Sequence, residues 1–468
     1  MPDATLDGDR VGGATGPAAD RVPSPSGATA REVERLLAAE PDVPGLRLLL
    51  DAEALAGWAA ATGAHPLADG RYAVRYLRWK PGAGGVARLV PAERALPEVF
   101  LAVWHTGAAA KLAKGVGRAG RHAVHVDPDR LALVARAAGD RDLPGLRLVA
   151  PAAGDEVPAR PGRDVRRALR GRTSLRPLAW KPGRRWVGRA SSPDGALDPV
   201  VVRAYRPADL GRAVEGWRTV AGPPGPPGAA GRVRAPRPLA VDARRGLLVT
   251  EHLPGVPLDR LLAVGDARVE GALAAAGAVL ADLHRLGPPR PPAQPADPLA
   301  AEIAAVRAAG RMLRRLRPDV LDATAGRTSG ATLVDDVVRG LLRGGSGPLG
   351  PVHGDLSADQ ILVDARGRVS VLDLDEAGRG PLVADVADLA ASWLVEAPAA
   401  ADDRLGRLLD GYAARGGSWP DPDALRPWLA ARLLRRAVAP FRTGSPTWAE
   451  QTDELLRRVR GVLDRGQR

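Results

Sequence analysis

Two carboxylates and an amide, set a few residues apart, are the side chains of this chain best suited to chemistry. They lie in His353-Gly354-Asp355-Leu356, Gln360 and Leu372-Asp373-Leu374. Residues 360–363 and 369–374 read as apolar strands, with Asp355 opening the first and Asp373 ending the second. Phosphoryl transfer calls for this layout. One carboxylate accepts the proton of an attacking hydroxyl, and a second holds a divalent cation on the phosphates beside an amide oxygen of the catalytic loop. Asp355 suits the first role, Asp373 the second, and Gln360 supplies the amide. Gln carries the same carbonyl oxygen as Asn, one methylene further out.

The spacing from His353 to Gln360 is similar to the catalytic-loop signature of protein kinases. More closely, the run resembles the aminoglycoside phosphotransferase family of small-molecule kinases. The resemblance rests on His353-Gly354-Asp355, an amide at Gln360, the triplet Leu372-Asp373-Leu374 and the later Asp385-Val386-Ala387. It implies an α+β, protein-kinase-like two-lobed fold, with a small β-rich N-lobe and a mostly helical C-lobe. ATP and Mg2+ are the implied cofactors, and a hydroxyl on a small molecule is the implied acceptor. Asp373 and Gln360 would hold the metal, and Asp355 would orient and deprotonate the acceptor. His353 and Asp385 would brace the loop. Arg203 stands where the family expects a phosphate-binding Lys, and Glu215 is the Glu available to pair with it. Thr250, Glu251 and His252 fall at the hinge, where backbone groups would meet the adenine.

The elements that must position these residues begin with a hairpin. Residues 175–180 and 186–190 read as strands joined at Pro182-Gly183, a pair suited to the centre of a type II turn. Either Lys181, Arg184 and Arg185 face phosphates there, or the hairpin is a surface turn with solvated charges. A helix from Pro207 to about Val220 follows, with Leu210, Ala213, Val214 and Trp217 on one face. From Leu258 the chain reads as mostly helical. His284 is expected to pack or cap locally, and Asp375 and Glu376 to be solvated turn acids.

An internal repeat precedes the hairpin. Asp42-Val43-Pro44-Gly45-Leu46-Arg47-Leu48 recurs as Asp142-Leu143-Pro144-Gly145-Leu146-Arg147-Leu148, and Trp79-Lys80-Pro81-Gly82 recurs as Trp180-Lys181-Pro182-Gly183. A fainter echo links Val126-Asp127 to Val241-Asp242. The expected organisation is a disordered leader over 1–30, a degenerate N-lobe-like repeat over 31–150, an N-lobe over 151–256 and a helical catalytic C-lobe over 257–468. The first copy has no catalytic loop and no base matching Arg203, and is expected to be structural or regulatory.

Composition narrows the alternatives. The chain has 468 residues, 45% of them hydrophobic, so large cores can form. No apolar run reaches the ~20 residues needed to cross a bilayer. Without cysteine there are no disulfides or thiol nucleophiles, which suits a cytoplasmic address. The net charge of +13 is carried almost wholly by Arg, since only Lys80, Lys111, Lys114 and Lys181 are lysines. No basic strip is interleaved with aromatics, so nucleic acid is not an expected partner, and neither is a membrane. The runs 311–317 and 432–436 are expected to be solvated basic faces. The Arg excess after residue 397 favours a neutral or anionic acceptor. The rival reading is a nucleotide-binding pseudokinase with a regulatory or interaction role.

Overall fold

The computed structural model describes residues 25–93, 95–149, 161–221, 233–287, 297–323, 332–345, 347–417 and 422–465. The Pro-Gly run at 223–228, most of the Pro-rich stretch before Pro298, Trp419 and residues 1–24 of the expected leader lie outside them. The helix Gly27–Ala38 starts inside that leader. Ser26 accepts the Thr29 N–H as its N-cap, and Val33 and Leu36 are buried.

The segments that carry the repeat fold into two antiparallel five-stranded sheets of identical strand order. The first runs Tyr72–Lys80, Gly84–Pro91, Val99–Trp104, Ala132–Arg136, Ala123–Asp127. The second runs Ser174–Lys181, Arg185–Ser191, Val200–Tyr205, Leu247–Glu251, Pro238–Asp242. Each opens with a hairpin closed by Pro-Gly. Gly82 and Gly183 take φ 68° and 65°, and the next N–H bonds back to the Lys carbonyl at 3.0 Å in both turns. A type II turn needs that positive φ, which costs Gly least.

A buried acid clamps each turn from within its own copy. Glu40 accepts the Gly82 N–H and Asp140 the Gly183 N–H, both at 2.7 Å. Asp127 and Asp242 likewise accept the backbone N–H and guanidinium of Arg130 and Arg245 at the matching turns.

Strand alternation sends the two faces of each sheet to different cores. Val200, Val202 and Ala204 share a core with Phe100, Ala102 and Leu133 of the first sheet. Tyr205 and Leu248 face the other way and join Trp217, Leu210 and Leu374. The remaining face of the first sheet is continuous with the core of the helical lobe. The molecule is therefore α+β and two-lobed, as expected, with a second sheet stacked on the first lobe.

In the helical lobe, strand Leu349–Val352 pairs with Gly378–Pro381, and Ile361–Val363 pairs with Val369–Val371. Gln360 closes a 3-10 turn, Ala358–Gln360, rather than opening the strand. Trp393 and Trp428 are fully buried and Trp448 nearly so.

Of the two arginine-rich runs, 311–317 keeps Arg311, Arg314 and Arg315 exposed, as expected, while 432–436 is not a solvated face. Arg432 is 6% exposed and lies 3.3 Å from Glu302 and 3.5 Å from Asp388, while Arg435 and Arg436 pair with the same two acids. Arg317 joins Glu32 and Asp453. Carboxylates converging from separate helices offset the cost of desolvating these guanidinium groups. Among the described residues, no helix is long and apolar enough to cross a membrane.

Candidate active site

The loop carrying Asp355 is held from below by one carboxylate. Asp385, on helix Val383–Glu396, is fully buried. Its oxygens accept the N–H groups of His353 and Gly354 at 2.7 and 2.8 Å. His284 Nε2 lies 3.3 Å from Asp385, and His284 Nδ1 lies 2.9 Å from the Tyr412 hydroxyl. His284 thus extends a buried network rather than packing or capping locally. Burial pushes the Asp385 carboxyl up, but the bond to His284 and the loop N–H groups outweigh it and hold it below its ordinary value. His353 Nε2 meets the Leu372 carbonyl at 2.7 Å, tying the Asp355 loop to the segment before Asp373. Gly354 has φ 86°, and a Cβ there would sit 2.4 Å from the Glu376 carbonyl, so the two strands of chain can pass only at glycine.

Asp355 is exposed and lines a cleft of about 190 Å³ between the lobes. Asp373, Asp375 and Glu376 line the same cleft from the helical lobe. Lys181, Arg184 and Arg185 line it from the hairpin, and Tyr205 and Arg212 from the second sheet and its helix. Lys181 and Arg184 are exposed at the cleft mouth, and Arg185 is half-buried.

Arg185 is the link between the two sides. Its guanidinium pairs with both carboxylate oxygens of Asp373, one at 2.8 Å, and also with Asp375. Asp375 further accepts the Tyr205 hydroxyl at 2.7 Å and Trp217 Nε1 at 3.1 Å. It is an organising acid, not a solvated turn residue. Asp373 itself adopts φ 62°, ψ 52°. Burial would raise its pKa, but the charge and hydrogen bonds of Arg185 hold it down at about 2.

Other expected contacts are placed differently. Arg203 is 6% exposed and does not pair with Glu215. Its Nη1 donates to Thr250 Oγ1 at 2.8 Å, its guanidinium lies 4.4 Å over the Trp217 ring, and its Nε is buried without a partner. The helix Pro207–Ala221 turns Trp217 to this side, and helical spacing carries Glu215 off that face. Thr250 is fully buried, and its hydroxyl also meets the Glu251 carbonyl at 3.2 Å. The Glu251 N–H bonds the Arg237 carbonyl at 3.0 Å, so that donor is engaged, while the Glu251 carbonyl keeps a second lone pair beside the Thr250 hydroxyl. His252 is half-buried just beyond the strand. Gln360 is largely buried, outside the cleft lining, and its amide oxygen accepts the Ser357 N–H at 3.0 Å.

Sequence reasoning missed Asp375 and His284 and weighed Arg185 only within the hairpin as a whole. The available signal was the repeat. Gly84 of the first copy stands at the position of Arg185, so this arginine is peculiar to the copy that adjoins the acids.

Among curated proteins no match is found. Solved structures resemble the chain in part. An aminoglycoside phosphotransferase from Streptomyces rimosus is 22% identical, over 58% of this chain and 96% of its own, with a TM-score of 0.41. A choline/ethanolamine kinase family protein from Mesorhizobium loti is 18% identical, over 69% and 94%, with a TM-score of 0.45. A choline kinase from Streptococcus pneumoniae is 10% identical, over 64% and 97%, with a TM-score of 0.43. The APH family model, described as the phosphotransferase enzyme family, matches residues 194–428, which is 235 of the 468 residues and spans the second and third strands' connection through the catalytic loop to helix Pro422–Arg436. On that match the chain belongs to the APH phosphotransferase enzyme family.

Proposed function

We propose that the chain is an ATP-dependent kinase that transfers a phosphoryl group to a hydroxyl of a small, positively charged molecule. The observation that carries this is the convergence of Asp355, Asp373 and Asp375 with Lys181, Arg184, Arg185 and Arg212 in one cleft. Phosphoryl transfer is catalysed chiefly by positioning and by stabilising charge on the phosphate oxygens. Lys181 and Arg184 above supply that charge, Arg185 and Arg212 being paired with Asp373, Asp375 and Glu376, and Asp355 below is the exposed base for the acceptor hydroxyl. Arg203, buried behind the cleft, adds to the positive potential and lowers the Asp373 pKa.

The donor set fits Mg2+. Asp373 and Asp375 present hard carboxylate oxygens already gathered around one cation, Arg185, and would hold the ion, while the Gln360 amide oxygen, which keeps a second lone pair beside the Ser357 N–H, lies outside the cleft lining. When bound, the ion would neutralise charge on the transferring phosphate. Asp355 takes the acceptor proton, while Asp385 and His353 keep its loop in register with Asp373.

Acidic groups beside the catalytic loop, which carries Asp359, support a cationic acceptor. The count of arginines that favoured a neutral or anionic one loses its force, because Arg432, Arg435 and Arg436 are spent on Glu302 and Asp388. Asp259 and Glu396 both have raised pKa values, first from burial and then from repulsion within the group Asp259, Asp359 and Glu396, despite Arg260, Arg404 and Arg436 nearby. An ammonium group on the acceptor would relieve that repulsion.

The test is a thermal-shift titration with ATP and Mg2+, followed by ADP release with amino alcohols and neutral sugars as acceptors. Wild type should be stabilised by nucleotide with metal and turn over the amino alcohols. Asp355→Asn should keep the shift and lose turnover by about 10²- to 10⁴-fold. Asp373→Ala should lose both. No nucleotide-dependent shift in the wild type, with or without acceptor, would rule the reading out. One observation favours the alternative of a nucleotide-binding pseudokinase, the occupation of Asp373 by Arg185. A metal-dependent shift with no turnover of any acceptor would point there.

A further inference from the structure

A second basic cavity, of about 400 Å³, lies between the two sheets and outside the cleft already described. Its position follows from the repeat. Within the strands Val99–Trp104 and Val200–Tyr205 and the helices after them, the two copies align at an offset of 101 residues. At that offset Lys181, Tyr205 and Arg212 of the phosphate cleft correspond to Lys80, Trp104 and Lys111, and all three line the second cavity. Arg184 and Arg185 correspond to Ala83 and Gly84, which line it too, so the cavity occupies the same place on the first sheet with two small residues where the cleft has arginines.

Of the five cations that line it, Arg141 and Arg206 are paired with Asp142 and Asp209, and three are not spent on acids. Arg78, Lys80 and Lys111 make no ion pair among the described residues, although all three face one cavity. Two of the four lysines in the chain stand here and a third, Lys181, stands at the matching place in the cleft. The opposite wall comes from the second copy. Asp140 is buried there with its carboxylate bonded to the Gly183 N–H at 2.7 Å and the Asp142 N–H at 3.1 Å, and Asp142 lies 3.5 Å from Arg141. These two acids are engaged by the turn and by Arg141, and among the described residues no group of three acids or histidines that could hold a metal is found.

We propose that this cavity is a second anion site, which takes a small phosphate-bearing molecule without a metal ion and without reacting it. Three unpaired cations around a cavity of this size match a diphosphate or phosphate ester. A charge-assisted bond from each cation to phosphate oxygen supplies the affinity. Both sites share one hairpin. Pro182 and Gly183 line the second cavity while Lys181, Arg184 and Arg185 line the cleft, and Arg206 lines both. A Cβ at Gly183 would lie 2.8 Å from Arg78 Nη2, which places the guanidinium directly against the turn. An anion that draws Arg78 inward therefore acts on the hairpin that covers the phosphates of the catalytic cleft.

The proposal rests on the duplicated sheets and not on phosphoryl transfer, so its test uses neither metal nor turnover. Inorganic pyrophosphate is titrated calorimetrically into the full chain in EDTA, with wild type, Lys80→Ala/Lys111→Ala and Lys181→Ala/Arg184→Ala compared. Both lysines of the first pair are exposed, so circular dichroism should show an unchanged fold. The first double variant should bind pyrophosphate at one site fewer, or about tenfold or more weakly, and the second should keep that site. ADP in EDTA then separates the sources of the phosphate. Competition with pyrophosphate for this site identifies a nucleotide, and competition by a sugar phosphate alone identifies a phosphate ester without a base. Equal isotherms for wild type and Lys80→Ala/Lys111→Ala would overturn the proposal. So would binding lost only in Lys181→Ala/Arg184→Ala, or no binding at millimolar pyrophosphate.

Discussion

Arg185 decides what the two acids at the end of the catalytic hairpin can do. It satisfies Asp373 and Asp375 together, and Tyr205 and Trp217 complete the shell of Asp375. Removing it leaves two neighbouring carboxylates with no cation between them. All three side chains keep some solvent contact, 14–24% exposed, so the cost of Arg185→Gln should be about 1–3 kcal/mol rather than that of a fully buried pair. The same substitution should make the protein respond to Mg2+ alone. Without nucleotide, Mg2+ should raise the melting temperature of Arg185→Gln by several degrees and leave the wild type almost unmoved. A variant no more sensitive to Mg2+ than the wild type would show that Asp373 and Asp375 do not face a common ion. At this scale the sequence was legible where chemistry and spacing coincide. Asp355, Asp373 and Asp385 could be picked out because each stands in a short, patterned run. Asp375 could not, because the groups that bind it, Arg185, Tyr205 and Trp217, lie 158 to 190 residues away along the chain. Arg203 was found at its strand position, but the side chain it meets depends on which face of the next helix turns inward.

The recurring element is a Pro-Gly hairpin tied down by an acid from the segment before it. In the second copy that acid is Asp140, whose carboxyl burial pushes up to about 6 although the Gly183 and Asp142 N–H groups pull it down. The unfolded chain should titrate near the ordinary 3.8. Between those values the folded state binds more protons than the unfolded one, so stability should fall as pH rises from about 4 to about 6 and then level off as far as this group is concerned. Asp388, pushed by burial up to about 7, adds a slope of the same sign that ends higher. Asp140→Asn keeps an acceptor for the Gly183 N–H and removes the titration. Melting temperatures of wild type and Asp140→Asn across pH 4 to 7 should therefore differ in slope below about pH 6 and run parallel above it. Parallel curves throughout would mean that Asp140 is not held in its buried clamp. The turn itself was readable from Pro and Gly alone. The clamp was not, since an acid ahead of a turn is ordinary, and only the match between Glu40 and Asp140 across the repeat marks it.

At the scale of the whole molecule, the first copy is a structural partner of the catalytic lobe. Its sheet stacks on the second sheet through one face, and through the other it enters the core of the helical lobe. Trp79 makes the contact plain. It is 4% exposed, its ring centroid lies 6.0 Å from that of Phe441, and Phe441 meets Trp448 edge-on at 5.2 Å. The repeat was visible in the sequence because the two copies share blocks of residues, but Phe441 and Trp448 lie some 360 residues beyond Trp79 and nothing local to either announces the pairing. A lobe docked in this way should not melt alone. Trp79→Ala removes a large buried side chain and should cost about 3–5 kcal/mol. If the core is one body, denaturation should remain a single transition, displaced as a whole, and nucleotide with Mg2+ should still shift it. If the first copy were a separate domain, the variant would split into an early transition indifferent to nucleotide and a late one at the position of the wild type. The number of transitions in Trp79→Ala therefore decides whether an anion held on the first sheet can reach the catalytic cleft through packed structure, or only through the hairpin they share.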